Sequence, residues 1–194
     1  MAYKIYIVDN KPKQIEKLTS LFDDEAEVNS IVCSDPSDDD LSDIVDELIT
    51  DITNLDIDYE IKILVDLCLN EAERCSTSSS EANRLSGVLL LKQFENRRRT
   101  EGLIRNITTF IISVHTRPGG EGAKDIRKAI VGENDDTTFL SVLDKPIDPT
   151  EENDPQLKAG EYMCKAYVDF LDDDKATQVK TEAFHNVVLY GYKR

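Results

Sequence analysis

Four apolar runs in this chain each stop at a polar residue able to do chemistry, and that grammar limits the fold more than any other feature. Lys4-Ile5-Tyr6-Ile7-Val8 runs into Asp9-Asn10. Ile63-Leu64-Val65 ends at Asp66, Thr109-Phe110-Ile111-Ile112 at Ser113, and Phe139 to Leu143 at Asp144-Lys145-Pro146. β-branched and aromatic residues in short apolar runs favour buried strands. A carboxylate directly after such a strand lies at its carboxyl end, where open α/β sheets have their ligand crevice. The four ends are expected to meet.

The stretches between these runs carry helical periodicity. Pro12 suits a first helical turn, and Ile15, Leu18, Leu21 and Phe22 share one face. Val28 to Cys33 reads as a short second strand. Ser34 to Asp38 supplies turn and cap residues, followed by a stripe of Leu41, Ile44, Val45, Leu48, Ile52 and Leu55. Ile61–Val65 is apolar on both faces, as in the centre of a parallel sheet. Residues 68–86 read as a long loop, rich in serine, before a helix that begins near Gly87. Ile107–Ser113 reads as the fourth strand. A short helix over Ala123–Ile130, a fifth strand over Phe139–Leu143 and a last helix over Leu157–Leu171 complete the alternation. Residues 175–194 fit either a strand, Val187–Tyr190, or a helix with Val179, Ala183, Val187 and Gly191 in line. That tail is expected to cover the domain's own surface or to pair with another chain. The alternation predicts an α/β fold: a doubly wound five-stranded parallel sheet, order 2-1-3-4-5, with helices on both faces. Strands one and three are then neighbours, so Asp9, Asn10 and Asp66 share one crevice. The division expected is a domain over 1–174 and an extension over 175–194.

Charge narrows the partners. The formal net charge of −16 works against direct contact with DNA or RNA phosphates. It suits cations and basic protein partners. Arg97-Arg98-Arg99 reads as a solvated helix end. No apolar run approaches the roughly 20 residues of a membrane helix, and Tyr3–Val8 is too short for a signal segment. Cys33, Cys68, Cys75 and Cys164 lack CxxC spacing, so reduced cytoplasmic thiols are expected, and two histidines exclude a multi-histidine metal centre.

Oxygen-rich side chains gathered at strand ends repel one another, and a hard divalent cation such as Mg²⁺ relieves this. An Asp carboxylate also attacks phosphoryl groups, and a lysine, a hydroxyl and a metal ion then stabilise the phosphoryl oxygens. In that chemistry Asp66 is the candidate nucleophile, Lys145 the point charge and Ser113 the hydroxyl.

Ile7-Val8-Asp9-Asn10, Leu64-Val65-Asp66, Ser86-Gly87-Val88-Leu89-Leu90, Ile111-Ile112-Ser113 and Leu143-Asp144-Lys145-Pro146-Ile147-Asp148 resemble, in that order, the motifs of receiver domains of two-component response regulators. The resemblance spans roughly residues 3–172. It implies a flavodoxin-like domain that takes a phosphoryl group from a histidine kinase or phosphotransfer protein. It places the phosphoacceptor at Asp66, the metal-binding pair at Asp9 and Asn10, the switch hydroxyl at Ser113 and the phosphate-contacting lysine at Lys145. The Cys68 backbone carbonyl would complete a Mg²⁺ shell, and Lys145–Pro146 is expected to be cis. Asn10 stands where members carry a second acid, so Mg²⁺ is expected to bind more weakly. The segment after Asp66 is longer than in typical members, Val114 replaces a smaller residue, and His115 occupies a position that tunes dephosphorylation.

Two other functions compete: a pseudo-receiver acting only as an interaction module, and a metal-dependent phosphohydrolase. The last usually has an Asp two residues after its nucleophile. Here Lys11 follows Asp9 and Cys68 follows Asp66 at that distance, so turnover is not expected and the protein is read as no enzyme. No DNA-binding output segment is legible, so output by protein contact with an unknown downstream partner is expected. Homodimerisation is left open.

Overall fold

In the computed structural model, residues 2–22, 24–70, 84–113, 141–144 and 173–191 are described. β1 (Ala2–Asp9), β2 (Ala26–Val32), β3 (Tyr59–Asp66) and β4 (Ile107–Ser113) form the body of a parallel sheet. The order is β2-β1-β3-β4, and the four-residue β5 (Ser141–Asp144) continues it on β4. This is the order expected from the alternation. Phe139 and Leu140, the start of the apolar run, lie outside the described residues.

Each helix buries the face its spacing marks. α1 (Pro12–Ser20) starts with proline at its first turn and buries Ile15 and Leu18. α2 (Asp38–Asn54) has Ser37 as N-cap in a complete capping box: Ser37 accepts from the Asp40 amide, and the Asp40 carboxylate accepts from the Ser37 amide. Its Leu41, Ile44, Val45, Leu48, Ile49 and Ile52 are buried. α3 (Ser86–Thr100) buries Val88, Leu90, Leu91 and Phe94. Its basic end behaves as a helix terminus should. Arg97 pairs with Glu101 and with Asp46 of α2, and Arg98 pairs with Glu95, close to carbonyls that favour positive charge.

The tail is helical. α4 (Asp173–Tyr190) stops at Gly191, whose φ of 71° and amide bond to the Val187 carbonyl make a left-handed cap. It covers the protein's own sheet. Phe184, Val187, Val188 and Leu189 join Ile15, Leu18 and Phe22 of the α1 region on Ile5, Ile7, Leu64, Phe110 and Ile112. On the other face α2 and α3 pack over Tyr6, Val8, Ile61, Ile63 and Val65. Both faces are therefore covered, and β1 and β3 are buried on each side. Among the described residues no helix is long and apolar enough to cross a membrane. The expected helices over Ala123–Ile130 and Leu157–Leu171 lie outside the described residues.

Candidate site at the carboxyl ends of the central strands

The register builds the site. β1 and β3 pair from Ala2↔Tyr59 to Val8↔Val65, so one further step sets Asp9 beside Asp66. Neighbouring strands run about 4.8 Å apart, so the two backbones bring these acids to one rim. They also share a face, because strand alternation aligns them with Ile7 and Leu64. Asp66 pairs with Ile112 on β4, and Ser113 follows by one residue. Ser113 pairs in turn with Asp144 of β5, so the four expected strand ends lie along one rim. Asp9, Asn10, Asp66 and Ser113 are all buried.

Backbone amides tie down the carboxylates. The Lys11 amide donates to Asp9 Oδ1 at 3.0 Å, and the Cys68 amide donates to Asp66 Oδ2 at 3.2 Å. Both are contacts to a residue two positions on, the local geometry by which Asp shapes a turn. The connections around them are stitched together. Leu67 donates its amide to the Ile112 carbonyl, Cys33 to the Asp9 carbonyl and Asp35 to the Leu69 carbonyl. Asp35 does so from a left-handed φ of 49°, which Asp tolerates better than most residues. The Ser34 hydroxyl donates to the Asn10 carbonyl at 3.2 Å.

α3 abuts this rim more closely than a side chain permits. A Cβ at Gly87 would stand 1.9 Å from the Asp66 carbonyl oxygen and 2.9 Å from that of Leu67. Gly87 also donates its amide to the Leu67 carbonyl, and the Ser86 hydroxyl accepts from the Leu69 amide at 2.8 Å. The start of α3 therefore fixes the path of residues 66–69. The sequence shows Ser86-Gly87 before an apolar run, but not that the glycine touches the backbone of Asp66.

The donor set suits a hard cation: two buried carboxylates, the Asn10 amide oxygen and nearby main-chain carbonyls. Among the described residues no group of three His, Cys, Asp or Glu side chains could hold a metal, so any ion here depends on amide or main-chain oxygens for its third protein ligand. Lys145, the Lys145–Pro146 bond, Val114 and His115 lie outside the described residues. The expectation of reduced thiols holds for Cys33, which is free and buried, with its thiol pKa raised by burial and by the charge of Asp40. It does not hold for Cys68, which is disulfide-bonded. Spacing alone conceals this, because no CxxC pattern marks the bond.

No family model matches the sequence, and no curated protein matches it. Among solved structures, one titled "BeF3 Activated DrrB Receiver Domain" is similar, at 12% identity and a TM-score of 0.43, over 77% of this chain and 90% of that one.

Proposed function

We propose that the protein is a response-regulator receiver that accepts a phosphoryl group on Asp66 and signals by protein contact. The observation that carries this reading is the in-register approach of Asp9 and Asp66 at adjacent central strand ends, with Ser113 one strand further on. An Asp66 carboxylate oxygen attacks phosphorus while the bond to the donor's histidine nitrogen breaks, so the phosphoryl group moves and the donor regains its imidazole. The Cys68 amide holds Asp66 Oδ2 and so orients the carboxylate. The Lys11 amide does the same for Asp9. Mg²⁺ held by Asp9, Asn10, Asp66 and the Cys68 carbonyl would supply charge stabilisation for the phosphoryl oxygens. Lys145 adds a point charge, and Ser113 turns toward the acyl phosphate as the switch that biases the surface near β4 and β5. The natural partners are a histidine kinase or phosphotransfer protein upstream and a protein target downstream, in the cytoplasm. The protein is not an enzyme with turnover.

A small phosphodonor such as acetyl phosphate, given with Mg²⁺, tests this. Wild type should gain one phosphoryl group by intact mass, and Asp66→Asn none; equal labelling of both sinks the reading. A pseudo-receiver is the second reading, favoured by Asn10, which removes one negative charge from the metal-binding pair. An intact fold with no Mg²⁺-induced spectral change at millimolar ion would support it.

A further inference from the structure

Away from the rim, a polar cavity of about 220 Å³ lies between β2 and α2. Tyr6, residues 28–31, Glu47, Leu48 and Asp51 line it. β2 is an edge strand of the sheet. Asp9 lies three residues beyond Tyr6, about 10 Å along β1, so the cavity is separate from the phosphorylation rim.

Its lining carries two acids. Glu47 and Asp51 sit one helical turn apart on α2, a spacing at which like charges destabilise a helix unless something offsets them. Asn29 Nδ2 donates to Asp51 Oδ2 over a long 3.4 Å. The Lys4 ammonium stands at one side of the cavity, 5.7 Å from the Tyr6 ring centroid, where its protons are already given to Glu27 and to Asn29 Oδ1. A second observation is independent of the acids. Tyr6 is 1% exposed, lines this cavity, and its hydroxyl finds no hydrogen-bond partner among the described residues. A buried hydroxyl without a partner is a costly arrangement that a ligand can relieve. Burial, and then the charge of Asp51, push the Tyr6 phenol well above its ordinary pKa, so it is a neutral hydroxyl able to accept from a donor. Two carboxylates and a neutral hydroxyl oxygen repel anions and call for a ligand that brings several N–H donors. At about 30 Å³ per water molecule, the space holds a handful of waters or one small organic group.

We propose that this cavity binds a guanidinium or primary ammonium group on a short aliphatic stem, its N–H groups donating to Glu47, Asp51 and the Tyr6 hydroxyl. Such a group comes either from a free small amine or from an arginine or lysine of a partner, and the two sources share the same recognition.

The test titrates the full chain with agmatine and, separately, with a capped Gly-Arg-Gly peptide, followed by amide NMR. The Asn29 side-chain amide and the amides of residues 28–31 should shift saturably. Asp51→Asn should weaken binding about tenfold, Glu47→Gln somewhat less, and Tyr6→Phe several-fold, the sizes expected for losing charged and then neutral acceptors. The far-UV circular dichroism of each variant should match wild type. Tighter binding of agmatine identifies a free amine, and tighter binding of the peptide a partner's side chain; either supports the site. No saturable shift with either probe overturns the proposal. So do shifts that persist unchanged in Asp51→Asn, or an equal response to acetate.

Discussion

The two faces of the sheet are closed by different means. Over Tyr6, Val8, Ile63 and Val65 lie α2 and α3, helices from the middle of the chain that also touch each other through Arg97 and Asp46. Over Ile5, Ile7, Leu64 and Ile112 lie α1 and, from the far end of the chain, α4. On that second face Phe22 meets Phe184 at 6.3 Å between ring centroids and stacks on His185 at 5.4 Å. Tyr190 meets Tyr3 edge-on at 6.2 Å, and its hydroxyl bonds Glu25. The first face is built by the helices that link successive strands of the sheet; the second waits for residues more than 160 positions away. Asp9 and Asp66 align with the second face. The residues proposed to do chemistry therefore share a side with a helix whose closure is long-range, and long-range contacts repay their loop entropy last.

The sharpest way to break this comparison is to hollow each face. Leu48→Ala on α2 removes a fully buried side chain and should cost about 3–4 kcal/mol in urea unfolding. Phe184→Ala on α4 should cost about 3 kcal/mol, the low end for a buried aromatic, since Phe184 keeps slight exposure. If Phe184→Ala costs under about 0.5 kcal/mol, the level of a surface change, α4 is an appendage and the second face does not depend on it. A third substitution probes the rim where the first face reaches it. Gly87→Ala must push α3 off the Asp66 carbonyl, so a loss of about 2–3 kcal/mol is expected, the upper part of the overpacking range. It should also weaken any Mg²⁺ response, because residues 66–69 move with it. An unchanged urea midpoint would show that the close approach relaxes freely.

The difference between the faces also explains what could be read in advance. The strand order and α2 were legible because local signals agree there: apolar runs of strand length, a serine cap with Asp40 three residues on, and a regular stripe. The convergence of Asp9, Asn10, Asp66 and Ser113 followed from the order alone, since parallel pairing carries every strand end to one rim. The tail was ambiguous because Val187-Val188-Leu189-Tyr190 has strand composition, and only packing on Phe22 and the Gly191 cap decide for helix. The cavity under α2 was not visible as a site. Tyr6 reads as an ordinary strand aromatic, and its meeting with Asn29, Glu47 and Asp51 depends on a register no local pattern states.

The smallest expected effect sharpens the comparison at the start of α2, where the first face begins. Ser37→Ala deletes the cap hydroxyl and should cost about 1 kcal/mol. The loss should depend on pH. The Ser37 hydroxyl and then the Ser37 amide, both donating to Asp40, hold its carboxyl below the ordinary Asp value. A carboxyl depressed in the folded state contributes stability above its unfolded pKa and loses it as pH falls through the folded one. Wild type and Ser37→Ala should therefore differ most near neutrality and draw closer below the ordinary Asp range. Paired urea melts at neutral and acid pH check this, and a gap that widens on acidification would mean Asp40 does not act through the box. Because Asp40 is fully exposed, salt should shrink the charged share of the gap while the neutral hydroxyl bond to the Asp40 amide persists.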